Sequence, residues 1–136
     1  MANAIYPLYK ETILGAATNT NLLTGTVKAA LVDTGTYTYS AAHQFLSSLT
    51  GVVGTAATIG AVKTVTAGTF DGANVTWSAV SGANAEAIVI YIDTGNAATS
   101  PLVAYIDTGQ TGLPVTPNGG DITMTWDNGA NKIFTL

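Results

Sequence analysis

Residues 86–109, EAIVIYIDTGNAATSPLVAYIDTG, carry two apolar runs that end alike. Ala87–Ile92 closes in Asp93-Thr94-Gly95, and Leu102–Ile106 closes in Asp107-Thr108-Gly109. Both runs are short, rich in β-branched and aromatic residues, and bounded by turn formers, which predicts two buried strands. The same ending follows a third run, TVKAALV at 26–32, in LVDTG at 31–35. Asp accepts a hydrogen bond from a main-chain N–H two residues on, and Gly takes the positive φ of a tight turn. Thr between them suits the end of a strand. Three copies of one strand terminator indicate a β protein.

Asp-Thr-Gly after an apolar strand is also how aspartic proteases present a catalytic carboxylate. That chemistry needs two carboxylates about 3 Å apart. If 86–93 and 101–107 form a hairpin, Asp93 and Asp107 sit at opposite ends, roughly 20 Å apart by strand rise. Asp33 approaches either one only through the tertiary fold. A dimeric protease of the retroviral type expects Ala after the triplet, whereas Thr36, Asn96 and Gln110 follow here. TIGA at 58–61 is a poor match to that family's second element. The triplets are therefore read as turns.

The remaining chain extends this pattern. YPLYKETILG at 6–15 predicts a short helix, with Pro7 in the first turn, Tyr6, Tyr9 and Ile13 at helical spacing, and Gly15 as cap. Residues 16–25 read as a linker. TYTY at 36–39 alternates like a strand. SAAHQFLSSL at 40–49 predicts a second helix, capped by Ser40, with Ala42, Phe45, Leu46 and Leu49 on one stripe. Residues 59–68 and 74–80 predict strands joined through TFDGA, where Asp71-Gly72 is a hairpin signal. Residues 94–101 and 111–120 are loops. DITMTWD at 121–127 alternates, with Ile122, Met124 and Trp126 on one side. Asn128-Gly129 then turns the chain into a last strand within 131–136. The expected fold is mainly β: an antiparallel β-sandwich or jelly-roll-like single domain over 1–136. One or two short helices lie in its N-terminal third, and 1–24 forms an N-terminal arm or helix.

Composition narrows function. The chain has four Lys and no Arg against eight acidic residues, a net charge of −4, which disfavours nucleic acid and anionic membranes. No run approaches the ~18 apolar residues of a spanning helix, and the N-terminus shows no secretory pattern. There is no Cys, so disulfides and thiolate metal sites are excluded. Charged residues are 9% of the chain, against about 25% in an average soluble protein. A surface of hydroxyls, amides and methyl groups fits a protein packed against others.

Candidate chemistry is sparse, and no cofactor is expected. His43 is the only histidine, too few for a multi-His zinc site or a convincing triad. GVVGTAATIG lacks the ending of a phosphate loop, and Ser81 reads as a turn residue. Asp121, Asp127, Asn128 and Asn131 offer oxygen ligands for Ca²⁺ without a recognised spacing. NVT at 74–76 matches a glycosylation sequon but reads as strand. Trp77 and Trp126 are candidates for a sugar-stacking platform, with core packing the stronger expectation. Tyr37 and Tyr39 are either core or an outer amphipathic patch of the kind enriched at interfaces. With Tyr6, Tyr9, His43 and Phe45 they make up the expected interface set.

The stretches 25–49 and 90–136 resemble a family of small tailed-bacteriophage proteins, and size, β-content and low charge make the chain similar to capsid decoration, or cement, proteins. The resemblance implies a β-sandwich subunit, often trimeric, on the outside of the virion head over joints between major capsid proteins. Its partners would be the major capsid protein and itself. It would be made in the host bacterial cytoplasm. No site residue is carried over. A tail or tail-tube component, a carbohydrate-binding β-sandwich and an aspartic protease are the other readings.

Overall fold

A computed structural model describes residues 3–136 except 61, 111, 128 and 131. The chain is mainly β, in antiparallel sheets. In order the elements are β1 (Ala4–Ile5), α1 (Pro7–Leu14), β2 (Thr26–Val32), a 3₁₀ turn (Leu46–Ser48), β3 (Val52–Thr58), β4 (Lys63–Thr66), β5 (Thr69–Gly72), β6 (Val75–Trp77), β7 (Ala87–Asp93), β8 (Leu102–Ile106), β9 (Ile122–Met124) and β10 (Phe134–Thr135). A five-stranded sheet runs β1-β8-β7-β2-β3, a three-stranded sheet β10-β5-β4, and β6 pairs with β9.

β2, β7 and β8 are the runs that close in Asp-Thr-Gly, and they are the middle of the large sheet. β7 and β8 are buried on both faces, as their continuous apolar sequences demand. On one face, Val27, Ala29 and Leu31 align with Ile92, Ile90 and Ile88. Trp77 of β6 reaches that face and donates its indole N–H to the Ala29 carbonyl at 2.9 Å. Phe70 and Phe134 of the three-stranded sheet stack 5.4 Å apart and belong to the same core. On the other face, Tyr105 meets Tyr37 and Tyr39.

Several local expectations change. The expected strand at 36–39 is irregular, and the expected helix at 40–49 is only a single 3₁₀ turn. The Ser40 hydroxyl accepts from the Ala42 N–H, a local turn that competes with helix. The exposed edge of β8 supplies the stronger reason. Phe45 bridges Pro101, the Leu46 N–H donates to the Ser100 carbonyl at 2.8 Å, and the Leu102 N–H donates to the Gln44 carbonyl at 2.9 Å. β1 pairs farther along the same edge. Backbone that would have been helical thus satisfies strand groups that would otherwise go unpaired.

The expected strand at 59–68 shortens to β4, Lys63–Thr66, and β3, Val52–Thr58, lies where no strand was expected. The hairpin lies earlier than Asp71-Gly72. Ala67 and Gly68 take φ of 51° and 77°, the two positive values of a type I′ turn, and TFDG itself is strand β5. The Asp71 carboxylate accepts from its own neighbour, the Gly72 N–H. Asn128 lies outside the described residues, as does Asn131.

At the N-terminus, Pro7 opens α1 as expected. Gly15 ends it at φ −84°, and the positive φ falls on Ala16 at 52°. Residues 4–14 do not extend as an arm. Ala4 and Ile5 pair with Tyr105 and Ala104, the Tyr6 N–H donates to Val103, and Tyr6 and Tyr9 are buried in the core.

Candidate functional site

The interface set predicted from sequence divides in two. Tyr6, Tyr37, Tyr39 and His43 come together, and Tyr105 joins them. The Tyr6 and Tyr37 hydroxyls are 2.8 Å apart, and the Tyr37 hydroxyl lies 2.9 Å from His43 Nδ1. With Nδ1 unprotonated, Tyr37 donates to His43 and accepts from Tyr6. The Tyr39 ring packs between Tyr6, at 5.1 Å, and Tyr105, at 5.5 Å. Tyr9 and Phe45 lie elsewhere. Tyr9 donates to the Thr20 carbonyl and pins the linker to α1.

Tyr6, Tyr9 and Tyr37 are buried within the chain, which corrects their place in the expected interface set, and of the two readings of Tyr37 the core one holds. Each has an apolar body too large to leave in water and a hydroxyl that finds a partner inside. Tyr39, His43 and Phe45 remain half-buried.

A cleft of about 410 Å³ opens beside the cluster, with Tyr37, Tyr39 and Tyr105 against Glu86 and Asp107. Glu86 Oε2 accepts from the Thr34 N–H at 3.0 Å. Burial pushes the Tyr6 and Tyr37 phenols up. Burial first, then the charge and hydrogen bond of Asp107, pushes Tyr105 up to about 12. Each displaced tyrosine here moves away from neutrality. These phenols therefore act as fixed hydroxyls at neutral pH.

The three Asp-Thr-Gly copies end strands, two by the same side-chain turn and the third by another means. Asp33 Oδ1 accepts from the Gly35 N–H and Asp93 Oδ1 from the Gly95 N–H, at 2.8 and 2.9 Å. At the third copy the turn is held from outside, since Asn3 Oδ1 accepts from the N–H groups of Asp107 and Thr108. Gly95 and Gly109 take positive φ, whereas Gly35 does not.

The register also settles the spacing of the carboxylates. Ile106 pairs with Ile88, so Asp107 lies level with Ala87, six residues from Asp93 along β7 and roughly 20 Å away. Val32 also pairs with Ala87, so Asp33 shares the end of Asp107, with β7 between them. Asp93 instead pairs with Lys28 at 2.8 Å. The Lys28 hydrogen bond, then the Gly95 N–H, hold its carboxyl below the usual range.

Trp77 and Trp126 are buried, with their indole N–H groups donating to Ala29 and Ala73, so neither offers a stacking platform. Asn74 of the sequon accepts from the Trp126 N–H. Asp121 and Asp127 accept from the main-chain N–H of Ala79 and Gly129. Among the described residues no cluster of three His, Asp or Glu could hold a metal.

A second surface was not anticipated. A groove of about 280 Å³ runs between the end of α1, the linker and the three-stranded sheet. Ile13, Leu22, Phe70 and Phe134 line it, and no lining side chain carries a charge. Leu23 (49% exposed), Val65 (48%) and Leu136 (55%) stand at its rim, and Val62 nearby is 78% exposed. Val65 belongs to β4, which ends the three-stranded sheet and, among the described residues, has no strand on its outer side. Leu22-Leu23 in a polar linker and the uncharged run TVT were the sequence signals for it.

No family model matches the chain, and no curated protein matches it either.

Proposed function

We propose that the chain is a non-enzymatic structural subunit of a bacteriophage particle, acting on the outer head surface as capsid decoration proteins do. The observation that carries the assembly part of this reading is the uncharged apolar groove beside the open edge of β4. Exposed apolar residues gathered at one rim, on a chain with so few charges, suit contact with protein more than solvation. The carboxylates add support: Asp33, Asp93 and Asp107 end strands and sit apart, and Glu86 holds Thr34. The placement on a phage head rests on the resemblance of residues 25–49 and 90–136.

The major capsid protein and further copies of the chain are the partners in this reading. Hundreds of modest contacts on a shell then act together. Electron microscopy of purified particles, with the protein tagged, tests it. Density on the outside of the head at capsomer joints is the expected result. Density in the tail, or no protein in the particles, would overturn it.

A further inference from the structure

We propose that β4 is a self-association edge, through which two copies join antiparallel about a two-fold axis at Thr64. This extends the reading of the chain as an assembling subunit, and concerns its contact with a second copy alone.

The hairpin geometry selects the groups that face outward. In a two-residue hairpin the closing pair, Thr66 and Thr69, exchanges hydrogen bonds, the next pair does not, and the alternation continues. Thr64 therefore bonds inward to Asp71, whereas the main-chain N–H and C=O groups of Lys63 and Val65 point away from β5. A second β4 centred on Thr64 sets Lys63 opposite Val65 of the second copy. About four hydrogen bonds then form across the axis.

Natural edges are guarded by charge, proline or bulges. The outer strand of the large sheet, β3, has such a guard: its register shifts between Ala29 and Leu31, and Gly54 takes φ +73°. β4 has no proline or register shift, and its one charge, Lys63, is turned to the Gly25 carbonyl at 2.6 Å and away from the strand's outer groups.

The charge pattern favours a second copy over a foreign partner. The groove side chains carry no charge and the edge carries only Lys63, whose ammonium is held on the Gly25 carbonyl, so neither presents a charged pattern to a basic or acidic surface. An antiparallel edge is complementary to itself, so a two-fold contact needs no other sequence. Val65 of the second copy then lies along the Lys63 stem beside the groove, joining two apolar rims.

The chain lacks cysteine, so cross-linking reads the register directly. Thr64 would face Thr64 of the second copy as a non-hydrogen-bonded pair, with Cα atoms about 4.5 Å apart, within disulfide reach. Thr64→Cys should oxidise to a covalent dimer, and Thr66→Cys, off the axis, should not. Sedimentation should give the wild type roughly twice the monomer mass at about 100 μM. Val65→Pro removes an outward N–H without touching the internal ladder, and should sediment as a monomer with unchanged far-UV circular dichroism. Val65→Lys should do the same by adding charge. A monomeric wild type at that concentration, a trimer or dimer that survives both variants, or equal cross-linking at 64 and 66 would overturn the proposal. Because these measurements use the isolated protein, they can succeed where placement on the particle fails, and the reverse.

Discussion

Tyr37→Phe removes one oxygen from the middle of a relay, and its effect separates two kinds of cost. The Tyr37 hydroxyl serves Tyr6 at 2.8 Å and His43 at 2.9 Å. Tyr6 has no exposed surface, and no other partner of its hydroxyl is seen among the described residues. Losing the His43 bond costs about 1 kcal/mol, and stranding the buried Tyr6 hydroxyl about 1–3 kcal/mol more. We expect a loss of about 3 kcal/mol. Tyr6→Phe removes only the inner end of the relay and leaves Tyr37 donating to His43, so it should cost about 1 kcal/mol. The double variant strands nothing and returns the half-buried His43 to water. It should cost about 2 kcal/mol instead of the additive 4, a coupling of about 2 kcal/mol. Urea unfolding followed by the fluorescence of Trp77 and Trp126, both buried, measures all three. Near 3 °C per kcal/mol for a chain of this size, Tm should fall roughly 9 °C for Tyr37→Phe and 3 °C for Tyr6→Phe. Equal losses in the two single variants with strict additivity would refute the reasoning, because Tyr6 would then have another way to satisfy its hydroxyl.

Gly72→Ala places a Cβ 2.5 Å from the buried Ile59 Cγ2 and should cost about 2 kcal/mol by overpacking. Ile59→Ala in the same chain should recover part of that loss, visible as non-additive Tm shifts. Ala67→Asn puts a residue that tolerates the left-handed region at φ 51° in the hairpin turn, and should raise stability by about 0.5 kcal/mol in urea titration. Burial raises Tyr9 and Tyr105 to about 12, and raises Tyr6, Tyr37 and Tyr91 as well. A folded pKa above the unfolded value of ~10 gives stability that is complete below pH 10 and is lost as pH climbs toward 12. Tyrosinate absorbance should accordingly rise together with loss of near-UV circular dichroism, and a non-cooperative rise near pH 10 would contradict it.

The sequence by itself determined the centre of this protein. AIVIYID and LVAYI are short apolar runs rich in β-branched and aromatic residues and bounded by turn formers, and TVKAALV differs from them by one Lys, so all three read as strands and the first two as strands buried on both faces. Asp-Thr-Gly carries its own turn chemistry within three residues, so the ends of those strands were legible, as was the distance that keeps Asp93 from Asp107. Local signals also placed α1, because proline and the Tyr-Tyr-Ile spacing act within one helix. Tertiary structure decided the rest. Residues 40–49 have a helical stripe, but the open edge of β8 needed backbone partners, and Gln44, Phe45 and Leu46 supplied them. TYTY alternates, yet Tyr37 turns inward because Tyr6 and His43 wait there for its hydroxyl. The hairpin formed at Ala67-Gly68, which sets Val65 against Phe70 in the ladder, although Asp71-Gly72 has the stronger turn preference. The apolar groove arises from residues near 13, 23, 65 and 136, so no window of sequence contains it. Periodicity reports what a segment can bury, while partners distant in the chain decide what it does bury.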